Sequence, residues 1–159
     1  MQISAPRLLI EDDVSGHFDC GVQQLNEWFA NQAWRNQKNG DSRTYVSTDV
    51  ATGSVTGFYS LYARSLARDR IKGRLARNAP NPIPVILLGQ LAVSVNAKGK
   101  GLGGSLFVDA VKRSQAAAEI IGARATITEA IDNSAKAFYV HLGMTFLPDT
   151  ENMLYLLLR

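Results

Sequence analysis

Apolar residues recur at helical spacing through Leu25, Trp28, Phe29 and Ala33. The first periodic segment, 22–39, therefore predicts an amphipathic helix, with Asp19 as a possible cap and Gly40 just past its end. Two strand-like segments follow, 43–48 and 54–64. The polar turn 49–53 between them suits an antiparallel hairpin. The passage 65–84 is basic and holds Pro80, Pro82 and Pro84, which predicts a long loop with room for one short helix. Loops of that length in a compact domain tend to carry function. Residues 85–95 form a nearly continuous apolar run, the pattern of a central strand covered on both faces, and Gly89 within it points to a bulge or a close backbone approach. From Leu102 to Ile121 the apolar positions Leu106, Phe107, Ala110, Val111, Ala117 and Ile121 read as a helix ending at Gly122. A strand at 123–130, a helix at 133–142 stopped by Gly143, and strands at 144–147 and 152–158 complete the pattern. This order implies an α/β chain whose mixed sheet carries helices on its faces.

Length and composition narrow the class. A chain of 159 residues is about one ordinary domain, so the expectation is a single domain spanning 1–159. Hydrophobic residues make up 46% and charged residues 19%, a balance that excludes a disordered chain. Cys20 is the single cysteine and rules out an internal disulfide. Residues 1–6 lack the charged-then-apolar pattern of a secretion signal, and no apolar run approaches the roughly 20 residues of a membrane span. The expectation is a cytoplasmic protein without membrane contact. Formal charge is only +3, but its placement is uneven. Arg64, Arg68, Arg70, Lys72, Arg74, Arg77, Lys98 and Lys100 lie in a stretch where Asp69 is the only acid. Such a stretch can follow a phosphate backbone or receive a phosphorylated cofactor, or it can be a solvated loop.

The glycines at 99, 101, 103 and 104 fall between the buried strand and the long helix. There the absence of Cβ atoms lets backbone N–H groups at the positive end of a helix face an anion. A tight connection needing positive φ is the plainer explanation, but it rarely takes four glycines. Which phosphate would bind is open at this level. Gly99-x-Gly101-x-x-Gly104 also matches the dinucleotide fingerprint, with Glu129 in the place of its ribose-binding acid, although too few residues follow Gly104 for the further parallel units of a dinucleotide domain.

Lys98-x-x-Gly101-x-Gly103 resembles the coenzyme A pyrophosphate loop of the GNAT acetyltransferases, usually Gln/Arg-x-x-Gly-x-Gly/Ala. Lys98 departs from the usual Gln or Arg while keeping a cation there. Downstream, Asn133-Ser134-Ala135-Lys136-Ala137-Phe138-Tyr139-Val140-His141-Leu142-Gly143 resembles the second coenzyme segment of that family, with Asn, Ala and Tyr at its spacings. The similarity extends along the chain through Phe18-Asp19-Cys20-Gly21, Leu25-Asn26-Glu27-Trp28, Ser42-Arg43-Thr44, Gly57-Phe58-Tyr59-Ser60-Leu61 and Leu88-Gly89-Gln90-Leu91-Ala92-Val93. These segments look like the GNAT toxins of bacterial toxin–antitoxin pairs.

The resemblance implies the GNAT acyl-CoA N-acyltransferase fold, a central twisted mixed sheet flanked by helices on both faces. It also implies transfer of an acetyl group from acetyl-CoA, in a ternary complex and without a metal, to the α-amino group of aminoacyl-tRNA, which blocks translation. A ribbon-helix-helix antitoxin of the DUF1778 type and a homodimer are the partners it implies. The coenzyme site would comprise Leu91, Ala92, Val93, Lys98, Gly99, Lys100, Gly101, Leu102, Gly103, Gly104, Asn133, Phe138 and Tyr139. Backbone donors at Leu91, Ala92 and Val93 could hold the thioester oxygen as charge develops, and Tyr139 is the expected acid for the thiolate. The basic residues Arg35, Lys38, Arg43, Arg64, Arg74 and Arg77 are the candidate tRNA surface.

Segment 85–95 contains no Asp or Glu, so no carboxylate on that strand can be the general base. An α-amino group, with a pKa near 8 before esterification lowers it, already supplies neutral amine near pH 7, unlike a lysine side chain. Glu129 could act through water, with capping or a surface role as the plainer reading. His17 and His141 share no ligand spacing and read as ordinary residues, and Cys20 reads as a small buried side chain. Trp28 and Trp34 are six apart and are not expected on one helix face. Trp28 is assigned to the core, and Trp34 becomes a candidate for antitoxin, dimer or RNA contact. A GNAT enzyme acting on a small amine or a protein, and a non-catalytic binding module, are the alternatives.

Overall fold

Alternation and β-branching give the first hairpin its form. Strand β2 (Arg43–Thr48) runs antiparallel to β3 (Val55–Leu66), pairing Tyr45 with Tyr59 and Val46 with Phe58, with a bulge at Ser47 and Thr48. A short strand β1 (Arg7–Leu8), too brief to leave a periodic signal, pairs with the outer edge of β2. A computed structural model describes residues 1–159. Seven strands hydrogen-bond in the order β1-β2-β3-β4-β5-β7-β6, where β4 is Ile83–Val93, β5 Ala125–Glu129, β6 Thr145–Phe146 and β7 Met153–Leu157. Strands β4 and β5 are parallel, and β5 pairs antiparallel with β7, so the sheet is mixed as the element order implied.

The first helical segment departs from expectation. It comprises α1 (Gln23–Trp28), one wide π turn at Phe29–Ala33, and α2 (Trp34–Asn39), which ends on the left-handed Gly40. Asp19 is not its cap, because the extended residue Val22 takes that place. Gly21, at φ 86°, turns the chain before the helix begins, so the Asp19 carboxylate accepts from Gly21 N at 2.8 Å and from Asn26 Nδ2 at 3.0 Å. The π turn inserts a residue without advancing the helix face by a full step. Trp34, expected to be exposed, is half-buried and packs on the same apolar cluster as Trp28.

The longer helices follow the apolar periodicity more closely. Helix α3 (Leu102–Ile121) has the predicted ends, and α4 (Asn133–His141) begins at the predicted residue. Strand β4 starts two residues before the predicted 85 and includes Pro84, whose carbonyl oxygen accepts from Arg124 N at 2.9 Å. The basic loop is anchored by Leu75, which is fully buried, and holds one short 3-10 turn at Arg68–Arg70.

The chain forms two compact units, Met1–Tyr62 with Gln90–Ala110 and Ala63–Gly89 with Val111–Arg159. In the first, Leu25, Phe29, Ala33, Val46, Phe58 and Ala92 form a core in which the rings of Phe29 and Phe58 lie 4.5 Å apart. In the second, Leu75, Ile83, Leu88, Ile127 and Leu154 are fully buried.

Gly57 shows how closely the first unit is packed. A Cβ there would lie 2.9 Å from Leu106 Cδ1, 3.1 Å from the Ala92 carbonyl oxygen and 3.1 Å from Leu102 Cδ2. Gly57→Ala is expected to cost about 1–3 kcal/mol through overpacking. A thermal melt should show a fall of roughly 3–10 °C at this chain length, and an unchanged melting temperature would contradict the packing.

Candidate active site

Strand β4 runs unbroken through Gln90 to Val93. The Gln90 backbone N–H donates to the buried hydroxyl of Ser60 at 3.2 Å, and that hydroxyl in turn donates to Gln90 Oε1 at 2.5 Å. A side chain thus satisfies a part-buried donor next to Gly89. Beyond it, Ala92 is buried while Leu91 and Val93 are half-buried. The strand then ends cleanly, with Ser94 N donating to Thr56 O at 2.8 Å and Val95 N to Asp19 O at 2.9 Å.

The glycines divide into two pairs with different tasks. Gly99 and Gly101 both have φ 77° in the left-handed region, and a Cβ on either would meet nothing within 4 Å, so conformation and not space calls for glycine. Gly103 and Gly104 lie within the first turn of α3. The first bond of that turn runs from Ser105 N to Gly101 O at 3.2 Å, which leaves the N–H groups of Leu102, Gly103 and Gly104 ahead of it. Donors gathered at the positive end of a 20-residue helix are what a pyrophosphate requires.

The two loop cations are used differently. Lys98 Nζ donates to the Cys20 carbonyl oxygen at 2.9 Å, tying the loop to the turn before α1. Asp19 in that turn sits below the usual carboxylate range, chiefly because Gly21 N–H and then the Asn26 amide bond to it, with the Lys98 charge adding to the effect. Lys100 is exposed and has no such contact.

In the second unit, α4 opens on Asp132, whose carboxylate accepts from Ala135 N at 2.8 Å. The sequence reading passed over this cap, although Asp before Asn-Ser at a helix start is its usual signal. Asn133 occupies the first helical position and is exposed. Phe138 meets Tyr139 edge to face at 5.2 Å, and Tyr139 is 6% exposed. Burial pushes the Tyr139 phenol up to about 12, with a hydrogen bond to the Thr128 side chain opposing the shift in part. Thr128, which the sequence reading did not single out, is itself fixed by donating to Leu88 O at 2.9 Å. Glu129 is exposed at the end of β5.

The candidate RNA-binding residues lie on both units. Arg35 donates to Gln32, Arg43 donates to Gln37 O at 3.1 Å, and Lys38 is exposed in the last turn of α2. Arg64, Arg74 and Arg77 are exposed in the second unit, where Arg124 binds Arg77 O and Asn78 O at 3.3 and 3.2 Å.

A seven-stranded mixed sheet with a glycine-rich turn between β4 and α3 is the GNAT acyl-CoA N-acyltransferase fold. No family model matches the chain. It is 39% identical over 156 residues to the tRNA-acetylating toxin of Mycobacterium tuberculosis, covering 98% of this chain and 93% of that protein. Among solved structures, AtaT complexed with acetyl-methionyl-tRNAfMet has a TM-score of 0.86 at 26% identity, covering 98% of this chain and 95% of that one. A mutant AtaT toxin bound to the C-terminus of the antitoxin AtaR and acetyl-CoA has a TM-score of 0.80 at 25% identity, covering 98% and 93% of the two chains. The chain belongs to the tRNA-acetylating toxins.

The elevated Tyr139 phenol gives a test of sign. Its folded value lies above the unfolded value near 10, so the native state holds the proton more tightly. That contribution to stability is complete below pH 10 and is lost as pH rises from about 10 to about 12. Denaturant melts of wild type and Tyr139→Phe across that window should differ in slope, the wild type losing more stability. Parallel curves would place the phenol in an ordinary environment.

Proposed function

We propose that this chain transfers an acetyl group from acetyl-CoA to the α-amino group of aminoacyl-tRNA in a ternary complex and so blocks translation. The observation that carries the reading is the 39% identity to a tRNA-acetylating toxin over 98% of this chain. The open N–H groups at the start of α3 support the choice of a coenzyme pyrophosphate. Lys98, Gly99, Lys100, Gly101, Leu102, Gly103 and Gly104 form its loop on this reading, with Asn133 and Phe138 as further coenzyme contacts. Arg35, Lys38, Arg43, Arg64, Arg74 and Arg77 are the tRNA contacts.

The neutral amine attacks the thioester carbonyl carbon. The new N–C bond forms, negative charge passes to the carbonyl oxygen held by backbone donors of Leu91, Ala92 and Val93, and the C–S bond then breaks. Tyr139 donates to the departing sulfur. A phenol near 12 facing a thiol near 8.5 favours hydrogen bonding to the developing thiolate over complete transfer, and the proton shed by the amine ends on sulfur. With no acid on β4, the low pKa of the aminoacyl ester replaces a general base.

The partners on this reading are a ribbon-helix-helix antitoxin of the DUF1778 type and a second copy of the chain. No helix is long and apolar enough to cross a membrane, and a charged-tRNA substrate places the activity in the cytoplasm.

Purified protein incubated with labelled acetyl-CoA and charged total tRNA is expected to put label into the tRNA fraction. Label confined to small amines or to protein would sink the proposal. Tyr139→Phe should lower kcat about a hundredfold or more while the KM for acetyl-CoA stays unchanged, and undiminished turnover would remove Tyr139 from the chemistry.

A further inference from the structure

A cleft in the first unit lies against the strand that the chemistry uses. It measures about 290 Å³ and is lined by Gln24, Leu25, Glu27, Trp28, Asn31 and Gln90, among others. Its floor residue, Gln90, immediately precedes Leu91. Ser60, which is fully buried, donates its hydroxyl proton to Gln90 Oε1 at 2.5 Å and accepts the Gln90 backbone N–H at 3.2 Å. That bond fixes which end of the amide is the oxygen, and no hydrogen bond within the protein takes the two N–H donors of Gln90 Nε2.

We infer that this cleft takes the aminoacyl end of the acceptor, with Gln90 Nε2 donating to the ester carbonyl oxygen and Ser60 acting as the positioning residue that fixes the amide's orientation. The inference rests on the proposed acetylation of aminoacyl-tRNA. Three features of the cleft fit that group. Its volume falls just below the roughly 300–1,000 Å³ range of small-molecule pockets, which suits an aminoacyl group and not a nucleotide. Leu25 and Trp28 supply apolar wall for a side chain, and Trp28 is braced by stacking on Phe58 at 5.9 Å and 8°. Glu27 and the side-chain carbonyls of Gln24 and Asn31 supply acceptors for the amine N–H groups. Glu27 uses Oε1 to accept from Gln23 at 2.9 Å and keeps its second oxygen. Gln90 on the cleft wall directly precedes the strand residues assigned to the thioester carbonyl.

Steady-state kinetics with charged tRNA and acetyl-CoA varied separately test the assignment. Gln90→Met removes the two donors at similar volume, and Gln90→Glu removes them while keeping an oxygen for Ser60. Each is expected to raise the KM for charged tRNA about tenfold, the loss of one hydrogen bond, with the KM for acetyl-CoA within about twofold of wild type. Ser60→Ala should raise the same KM, and the double variant with Gln90→Met should be no worse than Gln90→Met alone, since Ser60 acts through Gln90. A wild-type KM in Gln90→Glu would reduce Gln90 to a structural partner of Ser60 and overturn the inference. Full additivity in the double variant would overturn the positioning role. Absence of tRNA label with the wild type would overturn the proposed function itself, whereas label with unchanged KM in the variants would overturn the cleft alone.

Discussion

A helix cannot satisfy its own first backbone N–H groups, and in this protein the start of α3 leaves them open instead of capping them with a side chain. Left-handed Gly99 and Gly101 bring the chain off β4 and directly into the helix, and Gly103 and Gly104 keep the first turn free of side chains. Much else in the first unit serves to hold that connection: Ser94 N and Val95 N are bonded to Thr56 and Asp19, and Lys98 reaches back to Cys20. A lysine at this loop position thus contributes structure, and the rim charge falls to Lys100.

Irregular backbone recurs wherever the site needs it. The Ser60 hydroxyl supplies the acceptor for Gln90 N, so that donor is not left unpaired. Ahead of α1, Asp19 and Asn26 perform the same service for Gly21 and Cys20. Each device replaces a missing main-chain partner with a short polar side chain, which makes the departure from regular structure affordable in a small core.

The chemistry assigned to Tyr139 follows from burial more than from any partner. A phenol raised to about 12 stays neutral throughout the physiological range, so it can donate but cannot serve as a base. Thr128, anchored to Leu88 O, lies against the ring's hydroxyl from β5. An acceptor amine of low pKa complements a site with no carboxylate on β4, and the two features together favour an ester-linked α-amine over a lysine.

The sequence alone determined the elements whose signals are local. The period of apolar residues bounded α3, alternation located β2 and β3, and four closely spaced glycines marked the turn into α3. The order of the coenzyme motifs, Lys98 to Gly104 and then Asn133 to Gly143, distinguished coenzyme A from a dinucleotide. What only the tertiary structure decided depends on partners distant in the chain. Lys98 meets Cys20 across 78 positions, Ser60 meets Gln90 across 30, and Thr128 meets Leu88 across 40. The π turn at Phe29–Ala33 leaves no period of its own in five residues. Spacing along one chain reports which face of an element a residue occupies, but hydrogen bonds and burial are set by whatever the fold brings against that face.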